Sequence, residues 1–290
     1  MPVNITLITA RPIDFLQAEF SHRFGYSVGL HLWQDGGSNF FSCFLENGRS
    51  QPTTKEIKKF KEEVADIVAH FIVEKWEIPL LEGLLCSEYE GLDDFSIEQI
   101  CENAREILNQ GEYSYPQQWR GETIYARLKE YLEDNSYLNI DGFVRFRLSD
   151  YLMELDQALE EAIDEYLLER EYDEFIRLLR YFIEVQEPRV DEVHVVLGPG
   201  GGFQLYDNED RSLNGEFVDG FVVDMPESDL NYEDLLISAL ITIAPRKVVL
   251  HGADKTRNVN AVNMIQSVFG ERVIKCNACA RCLKLQKLKF

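Results

Sequence analysis

Hydrophobic and polar positions change their period several times along this 290-residue chain. The opening "VNITLIT" is β-rich, and Pro12 suits the first turn of a short helix. "SVGLHLW" and "NFFSCFL" then repeat at period two, with Val28, Leu30 and Leu32 on one strand and Phe41, Cys43 and Leu45 on the other. Asp35-Gly36-Gly37 between them supplies turn chemistry, so the pair predicts a hairpin, with His31 and Cys43 as sheet residues.

From residue 51 the period becomes helical. Thr53 and Glu56 form a capping box ahead of Ile57, Phe60, Val64, Ile67, Val68 and Phe71, and Pro79 is expected to end that helix. Ser96 and Gln99 repeat the cap ahead of Ile97, Ile100, Cys101, Ala104, Ile107 and Leu108. Cys101 therefore reads as a core residue, and so does Cys86 in "LLEGLLC". A third helix carries Ile124, Leu128, Tyr131 and Leu132. Leu152, Leu155, Leu159, Ile163 and Tyr166 then form a stripe that Tyr172, Phe175, Ile176, Leu179, Phe182 and Ile183 continue after a phase shift. A long bent helix or two helices in series fits that spacing. Its surplus aromatics fit ordinary core, with a protein partner as the alternative.

Beyond Pro188 the pattern changes again. "EVHVVL", "FQLYD" and "EFVDGFVVDM" read as strands, "NYEDLLISALITIA" as a helix, "KVVLH" as a strand, "AVNMIQSVF" as a helix and "RVIKC" as a strand. The expected fold class is mixed α+β and α/β. It comprises a small N-terminal sheet region (1–50), a helical region (51–190) and a C-terminal β-α-β-α-β unit with a cysteine-rich tail (191–290).

Composition narrows the function. A chain of this length with 45% hydrophobic residues can bury a sizeable core. Its net charge of −22 disfavours non-specific binding to nucleic acid or anionic membranes. The charge is uneven: Arg272 to Phe290 holds six Lys and Arg and no acid, leaving 23 bases against 51 acids elsewhere. That basic tail is expected to pack on acidic protein surface rather than to grip RNA. "MPVNITLITARP" lacks the basic start of an export signal, and the apolar run "LLISALITIA" is too short to span a bilayer. A cytoplasmic location is expected, where clustered cysteines serve metals or redox chemistry more often than disulfides.

Five stretches, "GFVRFRL", "EREYDEFIRLLRYFIEVQ", "VHVVL", "VVLHG" and "CNACARC", together resemble the YtxC-like family of sporulation-associated proteins. The resemblance runs from about Gly142 to Cys282. It implies a cytoplasmic protein of spore-forming bacteria and carries no assigned reaction.

The candidate chemistry lies at the C-terminus, where Cys276, Cys279 and Cys282 are spaced C-x-x-C-x-x-C. "KVVLH" and "RVIKC" flank a helix, so a βαβ crossover makes them parallel. As neighbours about 4.8 Å apart, they bring His251 and Cys276 to one sheet edge, the edge where open α/β sheets place ligands. Three sulfurs and one imidazole match a tetrahedral zinc site, with Lys275 and Arg281 favouring thiolates. Zinc or a similar metal ranks ahead of three free thiols, and a dithiol redox pair third. An iron–sulfur cluster lacks its fourth cysteine.

Elsewhere the plain readings prevail. Gly198, Gly200, Gly201 and Gly202 precede a strand-like "FQLY", so they suit a hairpin rather than a dinucleotide loop, and His194 reads as a sheet histidine. The acids of 160–174 have no accompanying E-x-x-H and read as a solvated helix face. Lys255, Thr256 and Arg257 could meet an anion, though capping by Asn258 or Asn260 explains them as well. The sequence thus points to a non-catalytic accessory or interaction protein with a metal-stabilised C-terminus. The alternative is a metal-dependent hydrolase or thiol oxidoreductase at the His251/Cys276 edge.

Overall fold

The computed structural model describes residues 4–25, 28–45, 52–110, 117–198, 202–213, 232–252, 259–277, 279 and 282. Contacts divide the chain into two compact units, Met1–Leu167 and Leu168–Phe290.

Unit 1 begins with β1 (Asn4–Thr9), α1 (Asp14–Phe24), β2 (Val28–Asp35) and β3 (Ser38–Leu45). The β2–β3 hairpin closes on an Asp35↔Ser38 pair, and Gly36 and Gly37 between them both have positive φ, the conformation a tight hairpin turn requires. With β4 (Tyr137–Asn139) these strands form a sheet of order β2-β3-β1-β4, in which β1 is antiparallel to β3 and parallel to β4. Ile5, Leu7, Phe41 and Cys43 are fully buried against Leu16 and Phe20 of α1, and the rings of Phe20 and Phe41 lie 4.7 Å apart. Pro12 sits just outside α1, whose N-cap is Ile13. His31 and Leu32 are exposed on β2.

Three helices follow, α2 (Thr54–Glu88), α3 (Asp94–Gln110) and α4 (Gln117–Asp134). The Thr53–Glu56 capping box opens α2. Pro79, expected to end it, instead lies inside, and the helix continues for nine more residues. Proline removes one backbone bond and crowds the preceding turn, but Leu81 and Leu85 beyond it are fully buried, and that burial sustains the helix. The extension carries Cys86 onto the exposed side, so it is not a core residue as expected, whereas Cys101 is buried. The cap of α3 also differs. Asp93 Oδ1 accepts the Ser96 N–H at 2.7 Å, while the Ser96 hydroxyl meets the Tyr166 hydroxyl at 2.7 Å. Asp93 is the better cap because its carboxylate reaches the third N–H of the helix.

A short α5 (Ile140–Arg147) precedes α6 (Ser149–Val185), and both stripes of the long stretch lie on α6, so they belong to one continuous helix and not to two in series. Leu155, Leu159, Ala162 and Ile163 bury one stripe of α6 in the core of unit 1. Within unit 2, Ile176 and Ile183 are buried, whereas Tyr172, Phe175 and Phe182 are about half exposed. The acids from Glu160 to Glu174 are solvated, and an i,i+4 pair joins Arg170 to Glu174 at 3.7 Å.

Unit 2 contains β5 (Glu192–Leu197), β6 (Phe203–Tyr206), α7 (Tyr232–Ile243), β7 (Lys247–His251), α8 (Val259–Phe269) and β8 (Val273–Lys275). The sheet order is β6-β5-β7-β8, with β5, β7 and β8 parallel and β6 antiparallel to β5. Val193, Val195, Val248 and Leu250 pack with Leu236 and Leu240 of α7 and Val262 and Ile265 of α8. The glycine stretch is a hairpin, closed by the Gly198 N–H on the Gly202 carbonyl at 2.8 Å; Gly200 and Gly201 lie outside the described residues. So do the strand expected in "EFVDGFVVDM", the loop of Lys255, Thr256 and Arg257, and Asn258, while Asn260 lies inside α8. The chain is therefore a mixed α+β protein, with two small sheets among the described residues. No helix among the described residues is long and apolar enough to cross a membrane.

Candidate metal centre

The crossover from β7 through α8 to β8 builds the site. Because α8 has an apolar face of Ala261, Val262, Ile265 and Val268, it docks on the sheet and returns the chain parallel to β7. The register pairs Leu250 with Lys275, and the Cys276 N–H donates to the Leu250 carbonyl at 2.9 Å. His251, 2% exposed, and Cys276 thus stand at the carboxyl ends of adjacent strands. Immediately after His251, Gly252 takes φ +78°, and a Cβ there would lie 2.9 Å from the Leu197 carbonyl oxygen. Only glycine lets the chain turn so closely over the end of β5.

Cys279 and Cys282 lie at this same edge. His251 Nδ1 is 3.4 Å from both Cys279 Sγ and Cys282 Sγ. The Cys282 sulfur is 3.7 Å from that of Cys276 and 4.0 Å from that of Cys279. One ligand atom from each of His251, Cys276, Cys279 and Cys282 lies within 4.8 Å of all the others. Zinc bonds of about 2.3 Å to sulfur and 2.0–2.1 Å to nitrogen, at tetrahedral angles, imply edges of about 3.8 Å between sulfurs and 3.6 Å from sulfur to nitrogen. The four short separations lie near those edges and all six lie within 4.8 Å, so the donor set suits such an ion in chemistry and approximately in size.

Partial burial and the neighbouring Cys276 and Cys279 thiols push the Cys282 thiol up to about 11. Crowded sulfurs resist becoming several anions side by side, and a divalent cation between them reverses that cost. Lys275 is exposed on β8, and Arg281 lies outside the described residues.

The sequence identified all four clustered residues but overlooked what stands behind the imidazole. His194 Nδ1 lies 3.0 Å from His251 Nε2, and His194 Nε2 lies 3.3 Å from Glu192 Oε1. Lys247 Nζ reaches the other Glu192 oxygen at 2.9 Å. The alternation of Glu192 and His194 in "EVHVVL" was the available signal, because period two places both on one face of β5.

The model of the YtxC-like family matches residues 62–274. The match reaches back through α2, α3 and α4, further than the stretch from Gly142 that carries the resemblance in the sequence, and it stops two residues short of Cys276. A Bacillus subtilis (strain 168) protein described as "Uncharacterized protein YtxC" is 31% identical over 224 residues, covering 75% of this chain and 76% of that protein. No solved structure matches. With the family model spanning most of its length, the chain belongs to the YtxC-like family.

Proposed function

We propose that His251, Cys276, Cys279 and Cys282 hold one zinc ion in a closed four-ligand centre that fastens the C-terminal segment to the end of the β7–β8 sheet. The observation that carries this is the approach of the four ligand atoms to within 4.8 Å of one another. Four protein ligands complete a tetrahedron and leave no position for a reacting water, so the ion is structural rather than catalytic. Its binding energy goes into ordering a segment too short to bury a core of its own. On this reading the protein is a non-catalytic accessory or interaction protein, and the family resemblance makes sporulation its setting. The half-exposed Tyr172, Phe175 and Phe182 of α6 support an interaction role.

The test is elemental analysis of protein purified without chelator, beside a Cys276→Ser variant. About one zinc per chain is expected in the parent, with both zinc and thermal stability reduced in the variant. Equal metal content in the two proteins would refute the centre. Loss of metal with unchanged stability would remove the structural role.

A further inference from the structure

We infer that His194 and Glu192 form an outer shell to this centre, with His194 as a positioning residue that aims the Nδ1 lone pair of His251 at the three sulfurs. The inference rests on the metal-centre reading and extends it to residues outside the ligand set.

The geometry follows from the sheet. Parallel pairing sets Glu192 opposite Lys247, His194 opposite Val249 and Val196 opposite His251. Residues two apart on a strand share a face, so Glu192, His194, Lys247 and His251 all emerge on the same side. His194 and His251 are diagonal neighbours across two strands, and their ring centroids lie 5.2 Å apart. The chain of contacts runs Lys247 Nζ to Glu192 Oε2, Glu192 Oε1 to His194 Nε2, and His194 Nδ1 to His251 Nε2, at 2.9, 3.3 and 3.0 Å.

Donor and acceptor rules give this chain a direction. An ammonium only donates and a carboxylate only accepts, so Glu192 accepts from Lys247 and can only be the acceptor at its 3.3 Å contact with His194. A neutral His194 that donates from Nε2 must accept at Nδ1. His251 then carries its proton on Nε2 and keeps its lone pair on Nδ1, the nitrogen that lies 3.4 Å from two of the sulfurs. The opposite tautomer of His251 would point an N–H at the metal position and could not ligate. Metal-bound histidines commonly donate their second ring N–H to such a partner, which sets the tautomer, orients the ring and raises its basicity. Here the partner is a second imidazole backed by a carboxylate, and the Lys247 ammonium offsets that carboxylate's charge.

The experiment compares the parent full-length chain with His194→Phe, His194→Asn and Glu192→Gln. Zinc affinity is read by competition with a chromophoric chelator, and ring orientation by the visible spectrum of the cobalt(II)-loaded proteins. His194→Phe removes the acceptor and is expected to weaken zinc binding about 10–100-fold. It should also shift the cobalt ligand-field bands while sulfur charge-transfer intensity persists. His194→Asn can accept through Oδ1 where Nδ1 stood, so it should recover much of the loss. Glu192→Gln, which leaves both imidazoles in place, should show a smaller loss in the same direction. Parent-like affinity and spectrum in His194→Phe would overturn the inference while leaving the centre intact. Equal losses in His194→Phe and His194→Asn with an unshifted spectrum would reduce His194 to packing and overturn it too. A parent protein that takes up no zinc would overturn the centre itself, and the outer shell with it.

Discussion

Each unit gathers a cluster of polar side chains, and the two clusters differ in whether the chain supplies both signs of charge. In unit 1, Glu77 of α2 and Arg120 of α4 are 1% and 2% exposed. The guanidinium grips the carboxylate through Nε and Nη2 at 2.9 and 2.8 Å, and donates further to the Leu108 carbonyl at 2.8 Å. Burial pushes the Glu77 carboxyl up while Arg120 opposes it. Positive and negative partners are both supplied by the chain. In unit 2, three thiols and an imidazole converge, and each of them is a residue type that could ligate a cation. Where the opposing charge is a side chain, the cluster is a strut of the fold. Where it is left to an external ion, the cluster becomes a place where solution conditions act on the protein.

Breaking the internal pair should have the largest effect. Arg120→Ala strands a buried carboxylate and should destabilise unit 1 by about 3–5 kcal/mol in urea unfolding. A double variant that replaces both partners with apolar residues of similar size should regain most of that loss. A change below about 1 kcal/mol in the single variant would mean the pair is as dispensable as a surface one.

A smaller effect is expected at the turn beside the proposed metal ligands. Gly252→Ala forces a side chain into a positive-φ position against the Leu197 carbonyl and should cost about 1–3 kcal/mol. The loss should appear in the unfolding of unit 2 and not in that of unit 1. A shared loss would show that the two units unfold as one.

The gentlest lever is pH. In the metal-free protein the Cys282 thiol is raised from the ordinary 9.0 to about 11, so the folded state holds that proton more tightly. This contribution to stability is complete below about pH 9 and fades as pH climbs toward 11. Metal binding expels the same protons, so zinc affinity should instead rise with pH and fall on acidification. Thermal melts of stripped and loaded protein from pH 7 to 11 should therefore diverge, and parallel curves would contradict the thiol set.

Much of this was legible in the residues. Asp35-Gly36-Gly37 announced the hairpin, Thr53 and Glu56 the start of α2, and strand–helix–strand around α8 the meeting of His251 with Cys276. The features missed all depend on distant packing. Pro79 stays helical because Leu81 and Leu85 find a core. Cys86 turns outward because the helix keeps its phase past that proline. Arg120 reads as one more surface charge until α2 and α4 are brought side by side. The pairing of His194 with His251 depends on strand register, since a shift of one residue would send one of the rings to the opposite face.

The position of β2 at the end of its sheet has a consequence for how copies of the chain meet. Among the described residues its outer side faces no strand, and it presents eight residues with Leu32 and Trp33 more than a third exposed. Such a flank is a template for edge-to-edge pairing, and β2 carries neither the lysine nor the proline that blunts many edges. Mutual repulsion from a net charge of −22 opposes such pairing, and added salt screens that repulsion.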